Sequence, residues 1–138
     1  MNLANSSILL YSLVGAVILV YFPFGLVGLA RVRAGYDIAA PRAMFDKLPP
    51  YAQRATWAHQ NSFEALIVYA IAALMAYITG VDSPWVGGAA LGFLGARLLY
   101  SVFYIANIPL ARSLMFAIGS TCSTILFVLS LLTLNNLS

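Results

Sequence analysis

The stretch RATWAHQNSFEALIVYAIAALMAYIT, residues 54–79, joins a polar beginning to an apolar end. The whole stretch exceeds the roughly 20 residues that a helix needs to cross a bilayer. Its first part carries Arg54, His59, Asn61 and Glu64, and such groups are costly in lipid unless they are paired or face the inside of a bundle. The stretch therefore predicts a transmembrane helix that contributes polar groups to the interior of a larger assembly of helices.

The composition of the whole chain also indicates a membrane protein. Of its 138 residues, 62% are hydrophobic and 8% are charged, whereas an average soluble domain has about 25% charged residues. The connections between the last three apolar stretches are short, so the helices must pack as antiparallel neighbours. We expect one domain over residues 1–138, an all-α, four-helix antiparallel membrane bundle with spans at about 8–30, 56–79, 85–106 and 113–134.

Basic residues are predicted to lie at one end of this bundle. Five of them lie within or beside the loop predicted at residues 31–55, and Arg112 follows the third span. The N-terminal segment, the turn at residues 80–84 and the C-terminal tail contain no Lys or Arg. By the positive-inside rule, we expect the first and third loops in the cytoplasm and both termini on the opposite side. A bacterial inner membrane is favoured over the endoplasmic reticulum, because nothing resembles a retention signal.

Two classes of function are disfavoured by the composition. The only cysteine is Cys122 and the only histidine is His59, so an intramolecular disulfide is excluded and these residues cannot build a zinc site by themselves. The net charge of +3 comes from the basic loops, without the interleaved basic and aromatic residues of a nucleic-acid surface. We expect no metal and no nucleic-acid partner.

Polar residues of three spans are predicted to face one another. With a rise of about 1.5 Å per residue, Glu64 and Arg97 both lie about 12–14 Å from the cytoplasmic ends of their helices. We therefore expect them to pair and to compensate each other's charge. Spacings of three, four and seven residues put further polar groups on the same helix faces, and the fourth helix begins with two more: Arg54, Asn61, Tyr100, Tyr104, Arg112 and Ser113.

This polar groove has two interpretations. Interhelical hydrogen bonds and paired charges can simply hold a membrane bundle together. The groove has more arginines and tyrosines than cohesion requires, and arginine is well suited to bind carboxylates. The second interpretation is a binding site for an anionic, polar ligand that enters from the cytoplasm.

Elsewhere, the small residues Gly88, Gly92 and Gly95 of the third span predict a close helix contact.

Two motifs of the chain are distinctive when taken together. The start of the second span carries Arg54-x-x-x-Ala58-His59-x-Asn61-x-x-Glu64, and residues 96–113, at the end of the third span and the start of the fourth, have the sequence ARLLYSVFYIANIPLARS. They resemble the signature and the second conserved block of the MAPEG family, the membrane-associated proteins of eicosanoid and glutathione metabolism. The resemblance covers nearly the whole chain, including the four spans and the basic first loop.

The resemblance implies a homotrimer that binds glutathione between neighbouring subunits near the cytoplasmic side. Its substrates would be hydrophobic small molecules that enter from the membrane lipid. Arg112 matches the arginine that stabilises the glutathione thiolate, and Ser113 matches a hydroxyl position proposed to assist it. The function implied is a glutathione transferase or peroxidase. The other matched residues are expected to bind glutathione: Arg31, Arg54, His59, Asn61, Glu64, Arg97, Tyr100 and Tyr104.

Several positions depart from the family pattern. Trp57 and Gln60 stand where relatives carry arginines, Phe116 replaces a tyrosine, and Ile67 replaces a proline. These changes keep open a second hypothesis, a non-catalytic MAPEG-like protein that binds lipid or stabilises a larger membrane complex. A small transporter is a weaker alternative, because the chain shows no evident inverted repeat.

Overall fold

Four long α-helices make up most of the chain. The structure, a computed structural model, describes residues 3–136. A short 3-10 helix at Pro41–Lys47 lies in the first loop. All four α-helices are long and apolar enough to cross a membrane, which confirms the predicted all-α, four-helix membrane architecture. In chain order they are α1 (Leu3–Arg33), α2 (Pro50–Ile78), α3 (Trp85–Ile105) and α4 (Pro109–Asn135).

The helices extend beyond the predicted spans, chiefly at the end that carries the first and third loops. α1 continues to Arg33, α2 begins at Pro50 and α4 begins at Pro109, so the loop predicted at residues 31–55 is confined to residues 34–49. Proline at the first helical position favours helix initiation, because its missing N–H would have had no intrahelical partner. The apolar pattern could not predict these polar helix ends, which are helical without being hydrophobic.

α2 packs into the bundle through small residues, as membrane helices commonly do. Its one large buried side chain is Tyr69, whose hydroxyl shares a hydrogen bond with Ser12 of α1. The Tyr69 ring stacks on Phe93 of α3 with centroids 3.8 Å apart. This stack joins three helices near the middle of the bundle. The buried small residues on α2 are Ala52, Ala55, Ala58, Ser62, Ala72, Ala73 and Ala76.

One glycine of the predicted small-residue face is at a close contact. A Cβ atom at Gly92 would come within 3.1 Å of the Cys122 sulfur on α4. Nothing lies within 4 Å of the corresponding positions at Gly88 and Gly95. The predicted close contact is therefore confirmed at Gly92 alone, and α3 meets α4 there.

The loop between α1 and α2 is held against the bundle. Met44 of the 3-10 helix is buried, and Phe45 packs on Trp57 of α2 with ring centroids 5.5 Å apart. Gln53 donates its side-chain amide to the carbonyl oxygens of Phe45 and Leu48. These contacts keep the basic loop close to the first turns of α2, beside the polar residues discussed next.

Candidate functional site

A buried arginine forms the deepest part of the polar groove. Arg97 of α3 is 4% exposed and donates from Nη2 to Asn61 Oδ1 at 3.2 Å and to Ser62 Oγ at 3.1 Å. Asn61 Nδ2 in turn donates to Glu64 Oε2 at 3.2 Å. Asn61 therefore links the cation to the carboxylate.

The direct pair predicted between Glu64 and Arg97 is wrong. Within the described residues these two side chains have no direct ion pair, and their connection runs through Asn61. Arg97 meets Asn61 and Ser62, one turn of helix or less before Glu64, but a shared level along two helices does not determine direction around each axis. Asn61 and Ser62 point toward α3, whereas Glu64 lies on the exposed side of α2. Its carboxylate consequently remains accessible at the edge of the groove.

Two tyrosine side chains, with an arginine at each end, form a series from the bottom of the groove to its mouth. The Arg97 guanidinium lies over the Tyr100 ring at 4.0 Å, and Tyr100 meets Tyr104 edge-on at 5.6 Å. Arg112, in the first turn of α4, lies over Tyr104 at 4.6 Å. A cation over an aromatic face is attracted by the ring's negative charge distribution. This series, called here the Arg–Tyr ladder (Arg97, Tyr100, Tyr104 and Arg112), holds two guanidinium groups in place.

A cavity of about 250 Å³ opens beside the inner end of the ladder, between α2, α3 and α4. We call it the Glu64 cavity. Its aromatic walls are Phe93, beneath which Tyr69 is stacked, and Phe116, which replaces the expected tyrosine. Its polar lining comes from α2, α3 and α4 together: Asn61, Glu64, Arg97, Ser120, Ser123 and Thr124.

The hydroxyl groups that α4 contributes to this lining were not foreseen from the sequence. Arg112, Phe116, Ser120 and Ser123 are separated by four, four and three residues, and these spacings place them along one face of a helix. The signal was therefore available, as a stripe of hydroxyl groups that continues from Arg112 into the span. Cys122, on another face of α4, is a buried free cysteine.

Two predicted residues lie in a second cavity. A cavity of about 760 Å³ between α1, α2 and the first loop is lined by Arg31, His59 and Trp57 among others. We call it the His59 cavity. His59 Nδ1 donates to the Val20 carbonyl oxygen of α1 at 2.7 Å, and its ring lies 4.8 Å from that of Phe24. The imidazole is therefore held against α1.

The two cavities lie on opposite flanks of α2. His59 and Asn61 are two residues apart, which corresponds to roughly 200° of rotation around a helix. Trp57 and Gln60, the positions that depart from the family pattern, are exposed and belong to the lining of the His59 cavity. Within one copy of the chain, Arg31 and His59 are thus separated from the Arg–Tyr ladder.

The remaining predicted residues lie at the mouth of the groove. Arg54 Nε donates to the carbonyl oxygen of Ile105, the last residue of α3, at 2.9 Å. Trp57 is 43% exposed and its ring lies 6.5 Å from that of Tyr104. Ser113 follows Arg112 in the first turn of α4 and is exposed. None of these three side chains lines the Glu64 cavity.

Comparison with known families gives a decisive result. The chain matches the model of the MAPEG family over residues 8–132. The protein belongs to the MAPEG family. No curated protein matches this MAPEG chain closely enough to count as a relative. Membership indicates a membrane protein related to glutathione or eicosanoid metabolism, and the four spans make it an integral, multi-pass one.

The site of this MAPEG protein is suited to a ligand that carries charges of both signs. Arg97 and Arg112 offer positive charge at the two ends of the ladder, and Glu64 offers an accessible carboxylate between α2 and α4. Within residues 3–136, no group of three or more His, Cys, Asp or Glu side chains is placed to hold a metal ion. The arginine, amide and hydroxyl groups of the groove can bind, orient and stabilise an anion.

Proposed function

We propose that this MAPEG protein is a membrane-bound glutathione transferase or peroxidase in which Arg112 stabilises the glutathione thiolate. The observation that carries the proposal is the Arg–Tyr ladder beside the accessible Glu64. Arg97 and Arg54 are held by hydrogen bonds to an amide, a hydroxyl and a backbone carbonyl. The guanidinium of Arg112 instead rests on the Tyr104 ring, and within residues 3–136 no hydrogen bond from it competes with a ligand.

Glutathione carries an ammonium group, two carboxylates and a thiol, and the groove offers a partner for each kind of group. Glu64 is suited to the ammonium group, and the Asn61 amide holds that carboxylate in place. Arg97 supports a carboxylate near the Glu64 cavity. Arg112 then lies at the mouth, where it faces the thiol. In this assignment glutathione lies along the ladder, with its ammonium group and one carboxylate deepest in the groove and its thiol at the mouth.

Arg112 would act by stabilising charge. A fixed cation lowers the pKa of a nearby thiol, and the thiolate is the reactive nucleophile. Toward an electrophile, the thiolate sulfur forms a bond to carbon while a leaving group departs with its electron pair. Toward a hydroperoxide, the sulfur attacks the terminal oxygen, which yields an alcohol and a sulfenic acid. A second glutathione then reduces that acid to give the disulfide and water. Ser113 or Tyr104 would supply a proton to the departing oxygen.

A homotrimer would bring the two cavities together. Because the Glu64 and His59 cavities lie on opposite flanks of α2, a ring of copies can place one flank against the other flank of the next copy. Such a head-to-tail contact closes when the rotation between copies divides the circle evenly. Arg31 and His59 of one subunit would then contribute to the glutathione site of its neighbour.

Replacement of Arg112 tests the proposed chemistry. In purified Arg112→Leu protein we expect the ultraviolet absorbance of bound thiolate and the conjugation of chlorodinitrobenzene to be lost, while the fold is retained. Arg33→Leu is the matched control, because Arg33 is an exposed cation at the end of α1 outside both cavities. Equal conjugation rates in the parent and in Arg112→Leu would contradict the role of Arg112.

Mixed oligomers test whether neighbouring copies share a site. Arg31→Leu and Arg112→Leu chains would each be inactive alone. When they are co-expressed, roughly a quarter of the contacts pair an intact ladder with an intact Arg31 in a head-to-tail ring. We therefore expect partial recovery of conjugation in the mixture. No recovery, from mixtures shown to contain both chains in one oligomer, would place the whole site within one subunit.

A non-catalytic MAPEG protein is the second candidate, favoured by two apolar side chains in the site. Trp57 faces the ladder and Phe116 lines the Glu64 cavity. The family pattern has arginine at the first position and tyrosine at the second. Titration of the parent protein with glutathione distinguishes the candidates. An absence of thiolate absorbance at millimolar glutathione, with the helical content intact, would favour lipid binding or a role in a larger complex.

A further inference from the structure

A hydrogen bond from the Arg54 side chain connects α2 to the end of α3. Its acceptor, the Ile105 carbonyl, is among the last carbonyls of α3, and such carbonyls lack an intrahelical partner. A cation at this end of a helix also interacts favourably with the helix dipole. Arg54 is half-buried, and this is its only hydrogen bond within residues 3–136. The side chain of Arg54 is therefore fixed by a hydrogen bond to the carboxyl end of α3.

The segment after Ile105 is a tight turn with little freedom. Asn107 has a φ of 60°, and the Ile108 N–H donates to the Phe103 carbonyl at 2.9 Å. This is the pattern in which a left-handed residue ends a helix and two backward hydrogen bonds close it. α4 begins directly afterwards at Pro109. The bond from Arg54 thus reaches the turn that joins two helices of the site.

Both outer members of the Arg–Tyr ladder flank this turn. Tyr104 immediately precedes Ile105, and the Arg112 N–H donates to the Ile108 carbonyl at 3.0 Å. The Arg112 guanidinium rests on the Tyr104 ring at 4.6 Å. Deeper in the bundle, α2 is joined to α3 by the hydrogen bonds of Arg97. At the mouth, Arg54 makes the corresponding connection.

We infer that Arg54 is a positioning residue that sets the place of Arg112 through the α3–α4 turn. The inference rests on the proposed function, because Arg112 matters there as the group that stabilises the thiolate. It differs from the role that resemblance assigns to Arg54, which is direct contact with glutathione. In the positioning role the hydrogen bond to Ile105 is what counts. In the contact role the positive charge would be what counts.

Glutamine separates these two roles. Its side-chain Nε2 stands at the same number of bonds from Cα as the Nε of arginine, so Arg54→Gln retains a donor for the Ile105 carbonyl without the charge. Arg54→Leu removes both the donor and the charge and leaves a shorter, apolar side chain. Arg33→Leu again serves as the control for loss of a cation at this end of the bundle.

In Arg54→Leu we expect the pH at which bound glutathione ionises to rise by about one unit, with a roughly tenfold lower kcat at neutral pH. KM for glutathione should stay within about twofold of the parent, and Arg54→Gln should restore the parent pH profile. A rise in KM of similar size in the leucine and glutamine variants, with an unchanged pH profile, would overturn the inference. It would show that Arg54 binds the ligand through its charge.

Amide hydrogen exchange of residues 103–112 gives a reading that needs no glutathione. Exchange in this segment should be faster in Arg54→Leu than in the parent and close to the parent in Arg54→Gln. Unchanged exchange in Arg54→Leu would show that the bond does not hold the turn and would refute the inference. If the parent protein fails to form a thiolate, the proposed function fails, and the exchange comparison still decides whether Arg54 positions the turn.

Discussion

Asn61 occupies the position between a buried cation and an accessible carboxylate. Its amide oxygen accepts from Arg97 and its amide nitrogen donates to Glu64, so each end of the group meets the charge that suits it. A direct ion pair would have consumed the carboxylate of Glu64. With the amide interposed, Arg97 is satisfied inside the bundle while Glu64 keeps capacity for an ammonium group at the surface of the groove.

Asn61→Ala should lower the free energy of unfolding by about 1–3 kcal/mol, because the Arg97 nitrogen loses an acceptor while it stays buried. Unfolding in detergent, followed by circular dichroism, measures the change. Gln60→Ala is the control: its side chain is exposed on the same helix, and surface substitutions usually stay within about 0.5 kcal/mol. Equal stabilities of the two variants would contradict the linking role of Asn61.

At this scale the sequence predicted the participants better than the contacts. Asn61, Arg97, Tyr100 and Tyr104 do meet, because helical spacing constrains which residues share a face. The partner of each side chain depends on the rotation of α2 against α3, and a single helix pattern does not contain that rotation. Arg54 shows the same limit: its acceptor is a backbone carbonyl of another helix, which no residue pattern indicates.

Helix contacts in this bundle depend on where small residues stand. Gly92 brings α3 toward Cys122 of α4, whereas Gly88, on the same helix face, has open space. The two glycines are alike in sequence and different in environment. Their difference follows from the line along which α3 and α4 cross, so the sequence predicted a close contact without identifying which glycine makes it.

Gly92→Val should therefore destabilise the protein by about 1–3 kcal/mol through overpacking against Cys122. Gly88→Val, with nothing within 4 Å, provides a control with the same change in helix propensity. Thermal unfolding of the two variants in one detergent gives the comparison. A loss of stability at Gly88 as large as that at Gly92 would mean that propensity, and not packing, explains the effect.

The turn between α3 and α4 depends on a residue that accepts a left-handed conformation. At Asn107, with φ 60°, glycine should be tolerated and valine should cost about 1–2 kcal/mol. Ala106→Val is the control, because Ala106 directly follows α3 with an ordinary right-handed φ of −71°. If Asn107→Val unfolds at the same temperature as Ala106→Val, the turn does not impose this conformation.

The whole molecule is electrically asymmetric along its long axis. Arg31, Arg33, Arg54 and Arg112 all lie at the end of the bundle where α1 and α3 finish and α2 and α4 begin. The opposite connection, between α2 and α3, carries Asp82. Length and hydrophobicity were enough to predict the four spans, because a bilayer imposes both. The exact helix ends were not predictable in that way, since they lie outside the apolar layer.

The positive-inside rule then predicts that the basic end faces the cytoplasm and that both termini face the other side. Expressed in a bacterium, a C-terminal fusion to alkaline phosphatase should be active and a fusion to green fluorescent protein should be dark. Fusions placed in the loop at residues 34–49 should behave in the opposite way. A fluorescent C-terminal fusion would reverse the assigned orientation.

The helices continue past the apolar spans at the end that bears the mouth of the groove. In a bilayer centred on the apolar spans, the Arg–Tyr ladder would run from the hydrocarbon layer into the headgroup region, across the boundary between two solvents. In the proposed reaction, a peptide from water and a lipophilic molecule from the bilayer would meet without either one changing phase. The effective concentration of the second substrate would then be its concentration in lipid. Its apparent KM, expressed per volume of suspension, should rise as vesicle lipid is added, whereas KM for glutathione should stay constant.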